Sequence, residues 1–163
     1  MSRCASLFAL TALLFVASSA QAQLKVGAKA PGFQLRDRTQ ALLRFSSFSA
    51  KKVVVLDFFR TDCAPCVKSL DKLKKLNKAF AASKHKDNGR FLLVAPLEQN
   101  EGGTKLDAFL KKAKLPFPVV VDAYDTVAKK YIAKGKSVQL PALFVIDKKG
   151  KVSWHHMSLL ADP

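Results

Sequence analysis

The chain has 163 residues, 49% of them hydrophobic, and sets 28 basic side chains against 12 acidic ones for a formal net charge of +16. That length and apolar content fit one domain with a real core, and no second composition block, internal repeat or low-complexity segment divides it. The lysines are spread over helical segments (Lys68, Lys72, Lys74, Lys75, Lys78) and loop tips (Lys148, Lys149). With no arginine-rich stripe, aromatic platform or nucleic-acid motif, this pattern argues against nucleic acid as the partner. It fits an acidic partner, or weak association with an anionic membrane surface.

Residues 1–22 read as a cleavable secretory signal. Arg3 precedes an apolar stretch from Leu7 to Val16, and Ala20-Gln21-Ala22 supplies a small-x-small cleavage pattern. The stretch is too short for a transmembrane helix. Cleavage after Ala22 removes Arg3, leaving +15, and takes Cys4 with it. The mature domain is then residues 23–163, and its expected location is the periplasm.

Ala30-Pro31-Gly32 closes an extended opening segment. Phe33–Arg36 and Ala41–Phe45 alternate apolar and polar residues, and Asp37-Arg38-Thr39-Gln40 between them predicts a hairpin. Ser46–Lys52 reads as polar connection. Val53 to Phe59, β-branched and aromatic, predicts a buried strand. From Val67 to Phe80, residues Leu70, Leu73, Leu76 and Phe80 mark a helix face, with Gly89 expected as a turn residue beyond the helix end. Phe91–Ala95 is a second apolar strand, and Glu98–Thr104 a loop. Lys105–Lys114 is a helix with Leu106, Phe109, Leu110 and Ala113 inward, stopped by Pro116-Phe117-Pro118. Val119–Val121 follows, then Asp122 as the cap of a helix from Tyr124 to Ala133. After a basic loop, Ala142–Ile146 and Lys151–His155 form a hairpin around the turn Asp147–Gly150. Strands alternating with helices imply an α/β fold, a central mixed sheet flanked by helices.

Cys63-Ala64-Pro65-Cys66 sits where the first long strand feeds a helix. Two cysteines at this spacing can close a disulfide or hold a metal. Free N–H groups and the positive end of the helix dipole favour an anion there, so Cys63 is expected to ionise readily. As a structural bridge the pair closes too short a loop to stabilise much. As a zinc site it lacks two ligands, since the histidines are only His85, His155 and His156 and none follows a His-x3-His spacing. Redox use is favoured, with no cofactor and no metal expected. Asp57, inside an apolar strand six residues before Cys63, is costly to bury and is expected to hold its proton above the usual range.

With these residues in view, the chain resembles the thioredoxin superfamily, and more narrowly the exported TlpA-like thiol-disulfide oxidoreductases, over about residues 26–157. The likeness rests on Ala30-Pro31-Gly32-Phe33, the block from Val53 to Cys66, Phe117 to Asp122, and Leu140-Pro141 leading into Ala142 to Gly150. It implies a thioredoxin-like fold with an N-terminal hairpin extension and a redox-active Cys63–Cys66 disulfide. Cys63 matches the nucleophile, Cys66 the buried resolving cysteine, and Pro141 the cis-proline beside the disulfide. Asp57 matches the buried acid of thioredoxin itself, where exported relatives more often carry a neutral residue, and is expected to help deprotonate Cys66. The implied partners are protein thiols and disulfides, among them cytochrome c maturation components and a membrane electron donor, with the domain a monomer. Ala64-Pro65 lacks a histidine to stabilise the Cys63 thiolate, which favours a reductase.

The sequence departs from the family at four places. Asp62 replaces the tryptophan before the first cysteine and is expected to oppose thiolate formation. Ser69 replaces a glutamate, and Pro96 a lysine near Asp57. Ser158–Pro163 is too short for the closing helix, which would leave one sheet face less covered or mark a truncated chain. Two other functions compete. A copper-delivery protein would use both thiolates with His155 or His156. A peroxiredoxin-type peroxidase would need Pro-x-x-Thr-x-x-Cys, which Arg60-Thr61-Asp62-Cys63 does not supply.

Overall fold

The computed structural model describes residues 24–96, 103–134 and 137–157. The secretory-signal reading of residues 1–22, most of the Glu98–Thr104 loop and the Ser158–Pro163 tail lie outside them. In chain order the elements are β1 (Gln34–Asp37), β2 (Leu42–Arg44), β3 (Val53–Phe58), α1 (Ala64–Ala81), β4 (Gly89–Pro96), α2 (Thr104–Ala113) and β5 (Val119–Asp122). They continue with α3 (Thr126–Ile132), β6 (Ala133–Lys134), β7 (Ser137–Val138), β8 (Ala142–Ile146) and β9 (Val152–Met157).

Seven strands form one mixed sheet in the order β2-β1-β5-β4-β3-β8-β9. The central pairs β3/β4 and β4/β5 are parallel, while β8 and β9 add an antiparallel hairpin on one side. On the other side β1 and β2 form the expected N-terminal hairpin, which joins the sheet through Arg36 opposite Val121. Strands buried on both faces read as continuous apolar runs, and β4 shows why. Leu92 and Val94 join a cluster with Val54, Leu56, Phe58, Phe144, Val127, Tyr131 and Ile132. Phe91, Leu93 and Ala95 join the opposite one, with Cys66, Leu70, Leu73, Leu106 and Phe117. The two-residue period of a strand thus feeds one core under α3 and another under α1 and α2.

Local chemistry fixes the ends. The Asp147 carboxylate accepts from the N–H groups of Lys149 and Lys151, and Gly150 takes φ +74°, closing the expected turn. Tyr131, wholly buried, donates its hydroxyl to the Pro31 carbonyl at 2.7 Å, tying α3 to the opening segment.

Asp122 does cap α3, and that helix begins at Thr126 rather than Tyr124 because the carboxylate reaches forward. It accepts from the N–H groups of Thr126, Val127 and Ala128 at 2.8–3.0 Å and from the Thr126 hydroxyl. A buried cap with four donors is worth more than an exposed one. Asp122→Ala is expected to cost about 2–4 kcal/mol in a denaturant titration, because the buried N–H groups of Val127 and Ala128 and the partly buried one of Thr126 lose their partner.

Three further expectations change. Gly89 is extended and starts β4, and α1 ends instead on Ala82 in right-handed geometry. The polar connection contains a short 3-10 turn, Phe45–Ser47, that buries Phe45 and Phe48 beside Phe33. The basic loop carries the small β6–β7 ladder.

Candidate active site

Beyond Phe58 the parallel pairing extends one step, with Phe59 N–H on the Val94 carbonyl. The chain then turns sharply, Cys63 N–H closing on the Arg60 carbonyl, and enters α1. The site therefore lies outside the carboxyl ends of the parallel strands, where α/β sheets place their chemistry. Cys63 is the N-cap residue, with φ −94° and ψ 95°, and its sulfur accepts from the Cys66 N–H at 3.2 Å. Pro65 fits the first turn, since no intrahelical bond needs its missing N–H. Cys63 and Cys66 are joined by a disulfide with their Cα atoms 5.2 Å apart. Cys63 is partly open to solvent and Cys66 is 0% exposed.

Pro141 follows a cis Leu140–Pro141 bond. Because Ala142 pairs with Phe58, Pro141 stands one step past the end of β3, at the same sheet end as the cysteine turn. Leu140 packs against both cores.

Asp57 shares the strand face of Val55 and Phe59. Its register partners Leu93 and Leu143 belong to the core that holds Cys66. The carboxyl is 2% exposed, its Oδ2 has no hydrogen-bond partner, and burial pushes its pKa up to about 8. Asp57 is thus a buried acid and not a solvated strand-end carboxylate.

Asp62 differs from expectation. Arg60 grips it with two bonds, Nε to Oδ1 at 2.9 Å and Nη2 to Oδ2 at 2.6 Å. The guanidinium holds the Asp62 carboxyl below the usual range, with help from Lys105 at the start of α2. The carboxylate beside Cys63 is thus ionised but paired. Arg60 and Lys105 are not marked as site residues by sequence reasoning. The alternating charges of Arg60-Thr61-Asp62 in a tight turn are a usable signal for the first, whereas Lys105 arrives from a distant helix with no local mark. Ser69, in place of the family glutamate, only donates to its own helix carbonyl at Cys66. Pro96 ends β4 and lines a shallow crevice with Phe59, Arg60, Thr61, Lys105 and Leu106.

The histidines of the copper alternative are not brought together with the cysteines. His155 lies against Phe144, on the α3 side of the sheet away from Cys66. His156 is opposite Leu143 on the α1 side but stacks on the half-exposed Trp154 of the open edge strand. Among the described residues no group of three metal-ligating side chains converges, and no helix is long and apolar enough to cross a membrane.

A mixed sheet with a half-open cysteine at a helix N-terminus, its buried partner one turn on, and a cis-proline at the same sheet end defines a thioredoxin-like thiol-disulfide oxidoreductase. The chain belongs to the AhpC/TSA family, which it matches over residues 26–155. It is 30% identical to the thiol-disulfide oxidoreductase ResA of Bacillus cereus, over 82% of this chain and 70% of that protein. ResA of Geobacillus kaustophilus is 33% identical over 78% of this chain and 66% of that one. Among solved structures, a Chlorobium tepidum protein described as a thiol:disulfide interchange protein DsbE superposes with a TM-score of 0.69 at 27% identity. That match covers 83% of this chain and 86% of the other.

Proposed function

We propose that this oxidoreductase works as an exported reductant of protein disulfides, with Cys63 attacking and Cys66 resolving. The observation that carries the reading is the contrast between the two sulfurs: one reachable at a helix N-terminus, the other sealed beneath it. In the reduced protein the Cys63 thiolate attacks one sulfur of a partner disulfide, and the partner's other sulfur leaves as a thiolate. Asp57, on Cys66's side of the sheet, takes the Cys66 proton in the minority of molecules where a pKa of about 8 leaves its carboxyl ionised near neutral pH. The Cys66 thiolate then attacks Cys63, the mixed disulfide breaks, and the partner departs reduced. One disulfide is consumed in the partner and one is formed here. Pro141, at the same end of the sheet, borders the surface where the partner chain would lie.

The direction of electron flow rests on the dipeptide. Neither Ala64 nor Pro65 offers a positive charge to the Cys63 thiolate, so the reduced state is not specially stabilised and the pair is a weak oxidant. The export reading of residues 1–22 and the surplus of lysine support acidic partners outside the cytoplasm and an electron donor at the membrane surface. Cytochrome c maturation is one role that matches. Equilibrating the protein with thiol buffers of known potential tests the direction. A value of about −270 mV or lower is expected, at the thioredoxin end of the scale. A value near about −120 mV would make the protein an oxidant and reverse the proposed flow.

A further inference from the structure

Asp62 and Arg60 occupy the turn that delivers Cys63 to the helix. A lone carboxylate on the residue next to the nucleophile works against its ionisation, since nearby like charges disfavour each other. The geometry here answers that charge locally. The Arg60 guanidinium closes a fork on both Asp62 oxygens, a two-point geometry that a lysine cannot reproduce. Its side chain is 16% exposed and that of Asp62 49%, so the pair lies at the rim of the site. The Arg60 carbonyl also receives the Cys63 N–H, so the residue that holds Asp62 fixes the start of the turn as well.

Other charges at this end of the sheet do not do this task. Lys105, from α2, acts on Asp62 more weakly than Arg60 does. Asp57 is buried on the side of Cys66, and Asp122 is engaged in capping α3. Lys68 projects to solvent one turn along α1.

We propose that Arg60 is a positioning residue for disulfide exchange: clasped to Asp62, it keeps the charge beside Cys63 close to neutral so that the attacking thiolate forms. The inference rests on Cys63 being the nucleophile. It assigns the pair a tuning role, not a stabilising one, because half-exposed ion pairs contribute little to folding.

The test follows the pH dependence of Cys63 alkylation by iodoacetamide in the reduced protein, for the wild type and four variants. Arg60→Gln leaves Asp62 with only the weaker influence of Lys105, and the midpoint is expected to rise by about one pH unit. Below the midpoint the thiolate fraction then falls about tenfold. Attack on a small disulfide slows only about threefold, because a more basic thiolate is a better nucleophile. Asp62→Asn moves the midpoint down. The double variant removes both charges and returns close to the wild type, and Arg60→Lys recovers part of the Arg60→Gln displacement. Raising the salt shrinks the displacements of the single variants. A midpoint unmoved in Arg60→Gln, or a double variant that keeps the displacement of either single one, overturns the proposal. Insulin reduction by the wild type separates the two levels. An inert wild type overturns the exchange reading itself, while unmoved midpoints in an active protein overturn only the role of the pair.

Discussion

Replacing Cys66 by serine is expected to turn turnover into capture. Cys63 keeps its place at the start of α1, half open, and still attacks a partner disulfide. Nothing then releases the adduct, because the resolving sulfur is gone and the site beneath is sealed: Cys66 is 0% exposed and packs in the core with Leu70, Leu73 and Phe59. Covalent complexes should accumulate, visible on non-reducing gels and identifiable by mass spectrometry, and insulin reduction should stop. Cys63→Ser should give the same loss of turnover with no adducts at all. The asymmetry is the informative part. Equal trapping by both variants would mean that either sulfur can be attacked from solvent, which the burial difference forbids. Neither variant should alter folding stability much through the crosslink, because so short a loop adds little chain-entropy stabilisation.

The parts of this site that were legible in the sequence are those fixed by local pattern. The run Val53–Phe58 is apolar at every position but Asp57 because both faces of β3 are covered, and a helix periodicity begins as soon as the turn is made. Cys63 then falls at the cap by spacing alone. Asp57 stood out because it breaks an apolar run. What the sequence did not show depended on partners distant in the chain or on side-chain direction. The Arg60 fork on Asp62 was not legible, since two residues of spacing in a turn do not say which way side chains point. Lys105 reaches the site only because α2 packs beside the β4 end. The β6–β7 ladder is two residues long on each side, too short for alternation to register. Gly89 was misread because a glycine after a helix favours the left-handed cap, whereas here it lies flat in a strand with the Phe80 ring pressed where a Cβ would stand.

Asp57→Asn is expected to make the protein more stable and less active at once. Burial pushes the carboxyl from 3.8 to about 8, with desolvation as the cause. In the unfolded chain the group is ionised at pH 7, and in the folded one it is mostly protonated. The folded state therefore holds the extra proton, and stability falls as pH rises from 3.8 towards 8. Above that the loss levels off. By pH 7 the penalty is on the order of 4 kcal/mol, at 1.36 kcal/mol per pH unit. An amide cannot ionise, so the variant escapes it. It should gain about 3 kcal/mol, or roughly 10 °C in melting temperature, at neutral pH and little at pH 4. Activity should go the other way. Without a base on the Cys66 side, mixed disulfides resolve more slowly, by about a hundredfold, the low end of what a positioned base contributes. Adducts with wild-type Cys66 would then linger, a milder form of the Cys66→Ser phenotype. A wild-type stability that stays flat from pH 4 to pH 8 would show that Asp57 is not held neutral. A variant that gains stability but resolves adducts at the normal rate would leave Asp57 a buried acid with no part in the chemistry. Only the two changes together, opposite in sign, make it the base that Cys66 needs.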